Sequence, residues 1–289
     1  MIRREKAIGM DFIHGKRAFI TGGSEGIGRA TALELARRGA AAVVICARRQ
    51  QPLDDTVKEM TRVGRSDAVF AAVSADVTNR AAMIRAANEA ILCAGGIDLL
   101  IANSGFAKAK AIADADEEHF RSQMDVNFFG HVNTVQAFQP HFRERGRGDI
   151  VLVSSVIADM SVWGYGAYSA TKMAIRGFAE ALRQEMMLEG ITVKLFLPPT
   201  TDTPGLAKEN EDKPPITMAL EMDSAFNTQA SAEDVAKALI DWLPRTGFVG
   251  YAGRASAMQA FLMRHAPSLA RRIADGEVRT AATAKPKNR

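Results

Sequence analysis

Cysteine is nearly absent from this chain: Cys46 and Cys93 are the only two among 289 residues. Both lie in apolar stretches, so the sequence predicts two buried thiols, excludes a disulfide framework and favours a reducing compartment. Long hydrophobic runs are missing as well, since no stretch of 18 apolar residues occurs. We therefore expect no membrane-spanning helix and, because the first residues are charged, no secretory signal. A cytoplasmic protein is the resulting expectation.

Aromatic residues are also scarce, at 7% of the chain, and no basic stretch is interleaved with them. Proteins that bind single-stranded nucleic acids combine a basic groove with aromatic stacking platforms. We therefore expect no nucleic-acid partner, and the sequence predicts no metal site. With 47% apolar and 24% charged residues, the composition is that of a soluble globular protein.

Positive charge is concentrated at the end of the chain. Residues 245–289 hold nine lysines and arginines against two acidic residues, a net charge of +7, whereas the preceding residues sum to −3. We treat 254–289 as a basic C-terminal extension that Pro267 breaks and whose last residues, from Thr280, are disordered. Apolar positions from Met258 to Ile273 leave three roles open: packing on the domain, an oligomer interface, or peripheral contact with an anionic membrane.

A glycine-rich turn follows the first predicted strand. Arg17–Thr21 is predicted as a buried strand, and Gly22, Gly26 and Gly28 precede a helical run over 29–38. Glycines let a backbone approach a pyrophosphate closely, and the N-terminus of the next helix offers free N–H groups. The turn predicts a dinucleotide site, with a plain tight turn as the alternative.

Arginines stand where the second predicted strand ends. Ala42–Ala47 is followed by Arg48 and Arg49. In dinucleotide-binding folds an acidic residue at this place binds the ribose 2′-hydroxyl of NAD. An arginine can instead bind a 2′-phosphate, so the presence of Arg48 predicts NADP as the cofactor. The alternative is that both arginines are solvated. Asp76, which follows the third strand, is placed to accept from an adenine amino group.

Strands and helices alternate along most of the chain. Further strands are predicted at 68–74, 97–102, 150–154, 191–197 and 248–251. Near-continuous apolar strands that alternate with helices predict a parallel sheet covered on both faces. We therefore expect an α/β fold, a single-domain Rossmann-like doubly wound sheet over residues 15–253, after a leader of residues 1–14. A long helical region over 117–145 contains Asn127 and is expected to be interrupted at Pro140.

Tyr168 and Lys172 stand one turn apart if residues 167–189 form a helix. A free phenol has a pKa of about 10, and a nearby lysine cation favours the phenolate, so the pair is a candidate general acid and base. Ser155 follows an apolar strand and can hydrogen-bond a substrate oxygen. The alternative is a helix with a surface tyrosine and lysine.

The segment 199–231 follows the last long strand and is rich in proline, threonine, asparagine and acidic residues. A long insertion beyond the carboxyl end of a strand is a candidate substrate lid. An ordinary surface excursion is the alternative.

The order and spacing of these motifs resemble the short-chain dehydrogenase/reductase family over residues 15–253. The matching stretches are TGGSEGIG at 21–28, DV at 76–77, NSG at 103–105, Asn127, SS at 154–155, YSATK at 168–172 and PPTTDT at 198–203. The resemblance implies an NADPH site. It would comprise Gly22, Ser24, Glu25, Gly26, Ile27, Gly28, Arg48, Asp76, Val77, Asn103, Tyr168, Lys172 and Thr203.

The resemblance also implies catalytic roles for Asn127, Ser155, Tyr168 and Lys172. Tyr168 would donate a proton to a carbonyl oxygen as NADPH delivers hydride to the carbon. Lys172 would bind the nicotinamide ribose and lower the pKa of Tyr168. Ser155 would orient the substrate oxygen, and Asn127 would hold a water in a proton relay. Thr203 would contact the nicotinamide amide.

Within the family, the stretches 167–182, 198–206 and 209–214 are similar to those of reductases that act on long-chain 3-keto sphingoid bases. This similarity implies NADPH-dependent reduction of a lipid substrate in sphingolipid synthesis, with the lid over its acyl chain. The hydrophobic terminal anchors of eukaryotic members are missing, which implies a bacterial relative. Other carbonyls, such as 3-oxoacyl thioesters, and a non-catalytic NADP sensor are the alternatives. The family's habit of forming dimers or tetramers implies a homo-oligomer.

Overall fold

Parallel strands form the centre of the fold. The computed structural model describes residues 12–223 and 229–283. Its strands are β1 (Arg17–Thr21), β2 (Ala42–Ala47), β3 (Val69–Ser74), β4 (Leu99–Ala102), β5 (Gly148–Val153), β6 (Ile191–Leu197), β7 (Thr201–Asp202), β8 (Ala230–Ser231) and β9 (Val249–Tyr251). Seven of them form one sheet, in the order β3-β2-β1-β4-β5-β6-β9, with every neighbouring pair parallel. The predicted Rossmann-like doubly wound α/β fold is confirmed.

Helices connect the strands and cover both faces of the sheet. They are α1 (Gly26–Arg37), α2 (Gln50–Val63), α3 (Arg80–Ala94), α4 (Glu117–Met124), α5 (Gly130–Arg145), α6 (Gly166–Met187), α7 (Pro204–Glu211), α8 (Pro215–Asp223), α9 (Ala232–Trp242), α10 (Arg254–His265) and α11 (Pro267–Thr283). On one face, α3, α5 and α6 pack around Phe138 and Ile175. On the other face, α1, α2 and α9 pack around Leu35 and Leu239.

The first strand shows why the strands are apolar along their whole length. Phe19 points into one apolar core, whereas Ala18 and Ile20 point into the other, and all three are fully buried. Successive side chains of a strand point to opposite faces of the sheet, so a sheet covered on both faces needs apolar residues at every position.

The carboxyl ends of the central strands meet at one edge of the sheet, because the strands are parallel. Thr21, at the end of β1, joins this edge to the loop after β4: its Oγ1 accepts from the backbone N–H of Asn103, at 2.9 Å, and its carbonyl accepts from the Asn103 side chain, at 3.1 Å. In open α/β sheets, ligands bind at this edge, beside the strand where the order reverses. Here that strand is β1.

The long helical region between β4 and β5 is not interrupted at Pro140, so that expectation was wrong. α5 runs through Pro140 to Arg145. Proline removes one backbone hydrogen bond, which leaves the carbonyl of Gln136 without its helical partner, but both residues are exposed and water can satisfy that carbonyl. The helix departs from α geometry earlier, in a π-helical turn at Asp125–Phe129.

The two thiols differ in exposure. Cys46 is buried in β2, but Cys93, in the last turn of α3, is exposed, so the expectation of two buried thiols was wrong for Cys93. Its apolar neighbour Leu92 is itself 83% exposed. An apolar neighbour in sequence does not bury a helical residue whose side chain points away from the sheet.

The C-terminal extension is helical as far as the structure describes it. Pro267 begins α11, where the missing N–H of a proline costs nothing. The expectation of disorder from Thr280 was wrong for 280–283, whereas 284–289 and the leader residues 1–11 lie outside the described residues. α11 contacts α8. Over the described ranges, every helix is too short or too polar to cross a membrane.

Two helices, α7 and α8, occupy the described part of the segment expected to form a lid, of which 224–228 lie outside the described residues. β7 and β8 flank this segment and pair with each other in parallel, and the Ala230 N–H donates to the Thr200 carbonyl at 3.0 Å. Thr203 caps α7, because its Oγ1 accepts from the Leu206 N–H at 3.1 Å. The two ends of the segment are therefore held together beside the edge of the sheet.

Candidate active site

Helix α6 brings Tyr168 and Lys172 to the edge of the sheet, one turn apart. Lys172 is 3% exposed, its Nζ donates to the Val153 carbonyl at 3.3 Å, and it lies 5.6 Å from the centre of the Tyr168 ring. A β-carbon placed on Gly105 would lie 3.3 Å from this Nζ, so the loop after β4 covers the ammonium. The pair is therefore part of an interior site and not of an ordinary helix surface.

Burial decides the charge state of Lys172. Removal from water penalises the ammonium and lowers the pKa of Lys172 to about 8. The side chain is therefore mostly charged at pH 7 and becomes neutral a little above that pH.

The pKa of Tyr168 moves in the direction opposite to the one expected. Burial raises it, the negative charge of Glu209 raises it further, and a hydrogen bond with the Ser155 side chain lowers it. The expectation that Lys172 lowers this pKa was wrong, because removal of the phenolate from water decides the direction of the shift. Tyr168 is therefore a protonated phenol at neutral pH, which is the form that can donate a proton.

Ser155 lies directly after β5, at the start of a short 3₁₀ turn. Its Oγ accepts from the Ile157 N–H at 3.3 Å and hydrogen-bonds Tyr168. The neighbouring Ser154 donates to the Lys172 carbonyl at 2.9 Å, which ties the end of β5 to α6. The structure thus brings the predicted serine, tyrosine and lysine together.

Asn127 lies in the π-helical turn and is fully buried. Its Oδ1 accepts from the Phe106 N–H and its Nδ2 donates to the Phe106 carbonyl, both at 2.9 Å, and Nδ2 also donates to Thr171 Oγ1 at 3.1 Å. The side chain therefore clamps the loop after β4 onto α6. Both amide hydrogens of the side chain are thus engaged, so the expected relay water would have to donate to an oxygen of Asn127.

The glycine-rich turn fits a dinucleotide phosphate. Gly22 and Gly26 have φ angles of 69° and 55°, which other residues rarely adopt. A β-carbon on Gly28 would lie 2.1 Å from the Gly22 carbonyl oxygen, so the turn closes only around glycine. Glu25, at the N-cap of α1, makes no side-chain capping bond. The first N–H groups of α1 are therefore free to bind an anion.

The two arginines after β2 have different surroundings. Arg49 donates to Glu25 at 2.7 Å, and both side chains are exposed. Arg48 is exposed as well, and within the described residues its guanidinium has no acidic partner. Of the two, Arg48 is the one whose charge is uncompensated.

Three further predicted residues line the nucleotide side of the site. The Asp76 Oδ1 accepts from the N–H and the hydroxyl of Thr78, at 2.9 and 2.8 Å. Val77 packs over Gly130, where a β-carbon would lie 2.7 Å from its Cγ2. Thr203 sits against the glycine-rich turn, since a β-carbon on Gly26 would lie 3.1 Å from its Cγ2. The start of α7 is thus directly above the turn.

One cleft, with a volume of about 1590 Å³, joins these groups. Every predicted site residue lines it except Gly28 and Asn127, which pack behind it. Residues of α7, α8 and α11 form its outer wall. Across residues 12–223 and 229–283, no group of three His, Cys, Asp or Glu side chains could hold a metal ion.

Sequence reasoning missed a polar group in the wall of this cleft. Tyr165, on the loop before α6, donates to the carboxylates of Glu209 and Glu221, and Lys213 pairs with both. In the sequence, residues 209–214 show only a similarity to certain reductases. The signal that could have revealed this group is the combination of acidic residues and a lysine in that stretch.

The profile of the short chain dehydrogenase family matches residues 16–214. The chain belongs to the short-chain dehydrogenase family. It is accordingly an oxidoreductase of a family that uses nicotinamide cofactors.

Several similar short-chain dehydrogenases are named for one substrate. The 3-dehydrosphinganine reductase of Danio rerio is 33% identical over 233 residues, 79% of this chain and 68% of that protein. The 3-dehydrosphinganine reductase TSC10A of Arabidopsis thaliana is 36% identical over 240 residues, 82% of this chain and 70% of that protein. The 3-ketodihydrosphingosine reductase of Bos taurus is 33% identical over 231 residues, 78% and 68% of the two chains.

Solved structures of short-chain dehydrogenases superpose on this chain. A short chain dehydrogenase from Burkholderia cenocepacia in complex with NADP has a TM-score of 0.73 and 25% identity, and the match covers 90% of this chain and 98% of that one. One from Mycobacterium paratuberculosis bound to NAD has the same TM-score and identity, over 85% and 99% of the two chains.

Lys172 should make the stability of the protein depend on pH. Its pKa falls from 10.5 in the unfolded chain to about 8 in the folded one, so the unfolded chain binds more protons between these values. The free energy of unfolding should therefore rise with pH across this window, by about 3 kcal/mol. Lys172→Met should remove the rise. Urea unfolding from pH 7 to 10.5 without nucleotide measures it.

Lys58→Met serves as the control, because Lys58 is an exposed lysine on α2. Its stability curve should stay parallel to that of the wild type. Parallel curves for Lys172→Met and the wild type would show that Lys172 keeps an ordinary pKa in the folded protein.

Proposed function

We propose that this protein reduces a long-chain 3-keto sphingoid base, 3-ketodihydrosphingosine, to its 3-hydroxy product with NADPH, a step of sphingolipid biosynthesis. The observation that carries the proposal is the grouping of Ser155, Tyr168 and Lys172 in a lidded cleft. The chain that carries this site is a third identical, over most of its length, to reductases of that substrate.

Tyr168 acts as the proton donor. Bound NADPH would supply hydride to the carbonyl carbon. The Tyr168 phenol, kept protonated by its raised pKa, donates to the carbonyl oxygen on which the negative charge develops. Ser155 holds that oxygen through its hydroxyl. Lys172 lies beneath the phenol, where its ammonium stabilises the phenolate that proton transfer leaves behind.

Asn127 keeps this arrangement in place. By holding both backbone groups of Phe106, it fixes the loop that covers Lys172. A water held at Asn127 would pass a proton from solvent to Lys172. Thr203, at the start of the lid, is placed to contact the nicotinamide amide.

Arg48 selects NADP. Its charge is uncompensated within the described residues, whereas that of Arg49 is balanced by Glu25. Pro52, four residues further on, carries no charge and cannot share this role. The 2′-phosphate is therefore left to Arg48, which can bind it through a charge-assisted fork.

The lid and the C-terminal helices can bind the acyl chain of the substrate on their inner side and a membrane on their outer side. Leu206 and Leu220 of the lid line the cleft. On the outside, Met222, Met258 and Phe261 are 69%, 66% and 58% exposed. The exposed arginines of α10 and α11 are Arg254, Arg264, Arg271, Arg272 and Arg279. We place this apolar and basic surface peripherally on an anionic cytoplasmic membrane face, because a lipid substrate must leave such a face to enter the cleft.

We also propose a homo-oligomer of a bacterial, cytoplasmic enzyme. Phe129 and Met173, on the π-helical turn and α6, are 49% and 41% exposed. A second copy of the chain could bury these exposed apolar side chains. A molar mass near 31 kDa by light scattering at micromolar concentration would contradict a dimer or tetramer.

Tyr168→Phe should abolish turnover. The variant keeps the ring and loses the acid, so kcat for 3-ketosphinganine should fall by at least about 1000-fold, the order expected for a general acid. The dissociation constant of NADPH should change less than about threefold, since the phenol makes few of the nucleotide contacts. NADPH oxidation, followed by absorbance, measures the first quantity and nucleotide titration the second.

Tyr251→Phe is the matched control, because Tyr251 bonds Asp159 outside the cleft. Full activity of Tyr168→Phe would remove Tyr168 from the acid role. If the wild type reduced 3-oxoacyl thioesters but not 3-ketosphinganine, the proposed reductase activity would stand and the proposed substrate would be refuted. Tight NADPH binding without any turnover would favour a sensor.

Arg48→Ala should lose the preference for NADPH. The ratio of kcat/KM with NADPH to that with NADH should fall roughly 10- to 100-fold, the range for one charge-assisted contact. Arg49→Ala should leave the ratio within about threefold, because Arg49 pairs with Glu25. An unchanged ratio in Arg48→Ala would refute the assignment.

Anionic vesicles should bind the protein at low salt and release it at high salt. Replacement of Arg271 and Arg272 by serine should weaken binding about 10-fold or more, since each basic residue near the surface contributes about 1 kcal/mol. Co-sedimentation with phosphatidylglycerol vesicles measures this, with neutral vesicles as the control. Absence of wild-type binding to anionic vesicles at low salt would contradict the membrane contact.

A further inference from the structure

The active-site cleft is larger than one ligand needs. Pockets that bind a single small molecule or cofactor measure roughly 300–1,000 Å³, whereas this cleft measures about 1590 Å³. The glycine-rich turn, Arg48 and Asp76 line its nucleotide side. The loop after β5, the lid and α11 line the rest of it. That second part of the cleft is available to a substrate while the first holds a nucleotide.

Apolar side chains surround the catalytic tyrosine on the substrate side. Ile157 and Tyr165 are buried in one apolar cluster, and Val162 and the Tyr168 ring pack against that cluster. All four residues line the cleft. A chain attached to a carbonyl carbon at Tyr168 would therefore contact apolar atoms, and each methylene that it buries would strengthen binding about fourfold.

Helix α8 of the lid is fastened to the loop before α6. Thr217 is fully buried, and its Oγ1 donates to the Trp163 carbonyl at 3.3 Å. A β-carbon on Gly164 would lie only 2.3 Å from the same oxygen, so helix and loop are in direct contact. The Gly164 carbonyl accepts in turn from the Lys110 N–H at 2.7 Å. Because this contact leaves no passage between Thr217 and Gly164, we expect an acyl chain to run along the inner side of the lid.

Helix α11 forms the outer wall of this path. It contacts α8, and its Ala270 is 1% exposed. Ala274 and Val278, one and two turns further along α11, line the cleft, as do Leu206 and Leu220 of the lid. The apolar lining therefore continues from the catalytic tyrosine through the lid to α11.

Charged side chains of α11 lie beside this apolar lining. Asp275 and Arg279 line the cleft and are exposed, and Glu277 lines it half-buried. A methylene chain that passed beyond Val278 would remove such groups from water, which costs free energy. The wall thus changes from apolar to charged at α11, which gives an acyl chain an end point.

We propose that Ala274 and Val278 of α11 contact the end of the acyl chain and set the chain length that the cleft accepts. The inference rests on the proposed function, because it concerns the acyl chain of the same substrate. A short chain leaves the apolar surface of Leu206 and Leu220 in contact with water, whereas a chain that is too long meets the charged side chains. The cleft therefore favours long-chain keto bases over short ones until the chain reaches α11.

A series of 3-ketosphinganine homologues tests the wild type, so that the result does not depend on the folding of a variant. With the full-length protein, saturating NADPH and substrate below the concentration that forms micelles, kcat/KM should rise about fourfold per methylene and level off when the chain reaches α11. Equal values at all lengths, or a rise that never levels off, would refute the proposal and leave the reductase standing. Turnover of 3-oxoacyl thioesters but of no homologue would refute the proposed substrate itself.

Ala274→Trp places an indole at the outer end of the path. The value of kcat/KM for 3-ketosphinganine should fall about 10- to 100-fold, because the indole displaces roughly two or three methylenes. For 2-amino-1-hydroxyoctan-3-one, which has the same head group and a much shorter chain, kcat/KM should change less than about threefold. In the homologue series, the levelling should come at a shorter chain.

Ala282→Trp is the matched control, because Ala282 lies on the same helix, is exposed and does not line the cleft. It should behave as the wild type with both substrates, which separates chain binding from any change in membrane contact. An equal loss for the two substrates in Ala274→Trp would overturn the proposal and show that α11 only supports the lid. No loss for either would overturn it as well and show that the chain does not reach α11.

Discussion

The ammonium of Lys172 lies out of water where β4, β5 and α6 meet, and much of the site is arranged around it. Few groups compensate its charge directly: the Val153 carbonyl accepts from it, and Gly105 allows the loop after β4 to close over it. Asn127 fixes that loop, and Ser154 ties β5 to the same turn of α6. The contacts that assemble the active site are therefore also contacts between the layers of the fold.

The edge that carries the chemistry could be predicted from sequence because its signals are local. Apolar runs define parallel strands, and several runs are followed by a polar residue at the same edge of the sheet: Thr21, Asn103 and Ser155 are examples. The glycine-rich turn is equally local, since the backbone at Gly22 and Gly26 requires glycine. Tyr168 and the next lysine are four residues apart, and the helical repeat alone places two such residues on the same face of a helix.

Other properties depend on the tertiary environment, which the sequence does not encode at short range. Pro140 is tolerated in a helix only because it lies on the solvent side, and Cys93 is exposed although its neighbours are apolar. The direction in which the pKa of Tyr168 shifts depends on burial and on Glu209, a residue 41 positions away on another helix. The grouping of Glu209 with Tyr165 likewise needs the lid to fold back over α6.

The pairing of β7 with β8 gives the lid a property that its helices alone would not have. Strand pairing of Thr201–Asp202 with Ala230–Ser231 brings the two ends of the segment together. The segment therefore leaves and rejoins the rest of the fold at one place. Lengthening a closed loop costs little free energy. The helices between these two strands can therefore change in length and sequence during evolution, and with them the substrate that the cleft admits. The register of the sheet and the acid–base residues beneath the lid can stay constant.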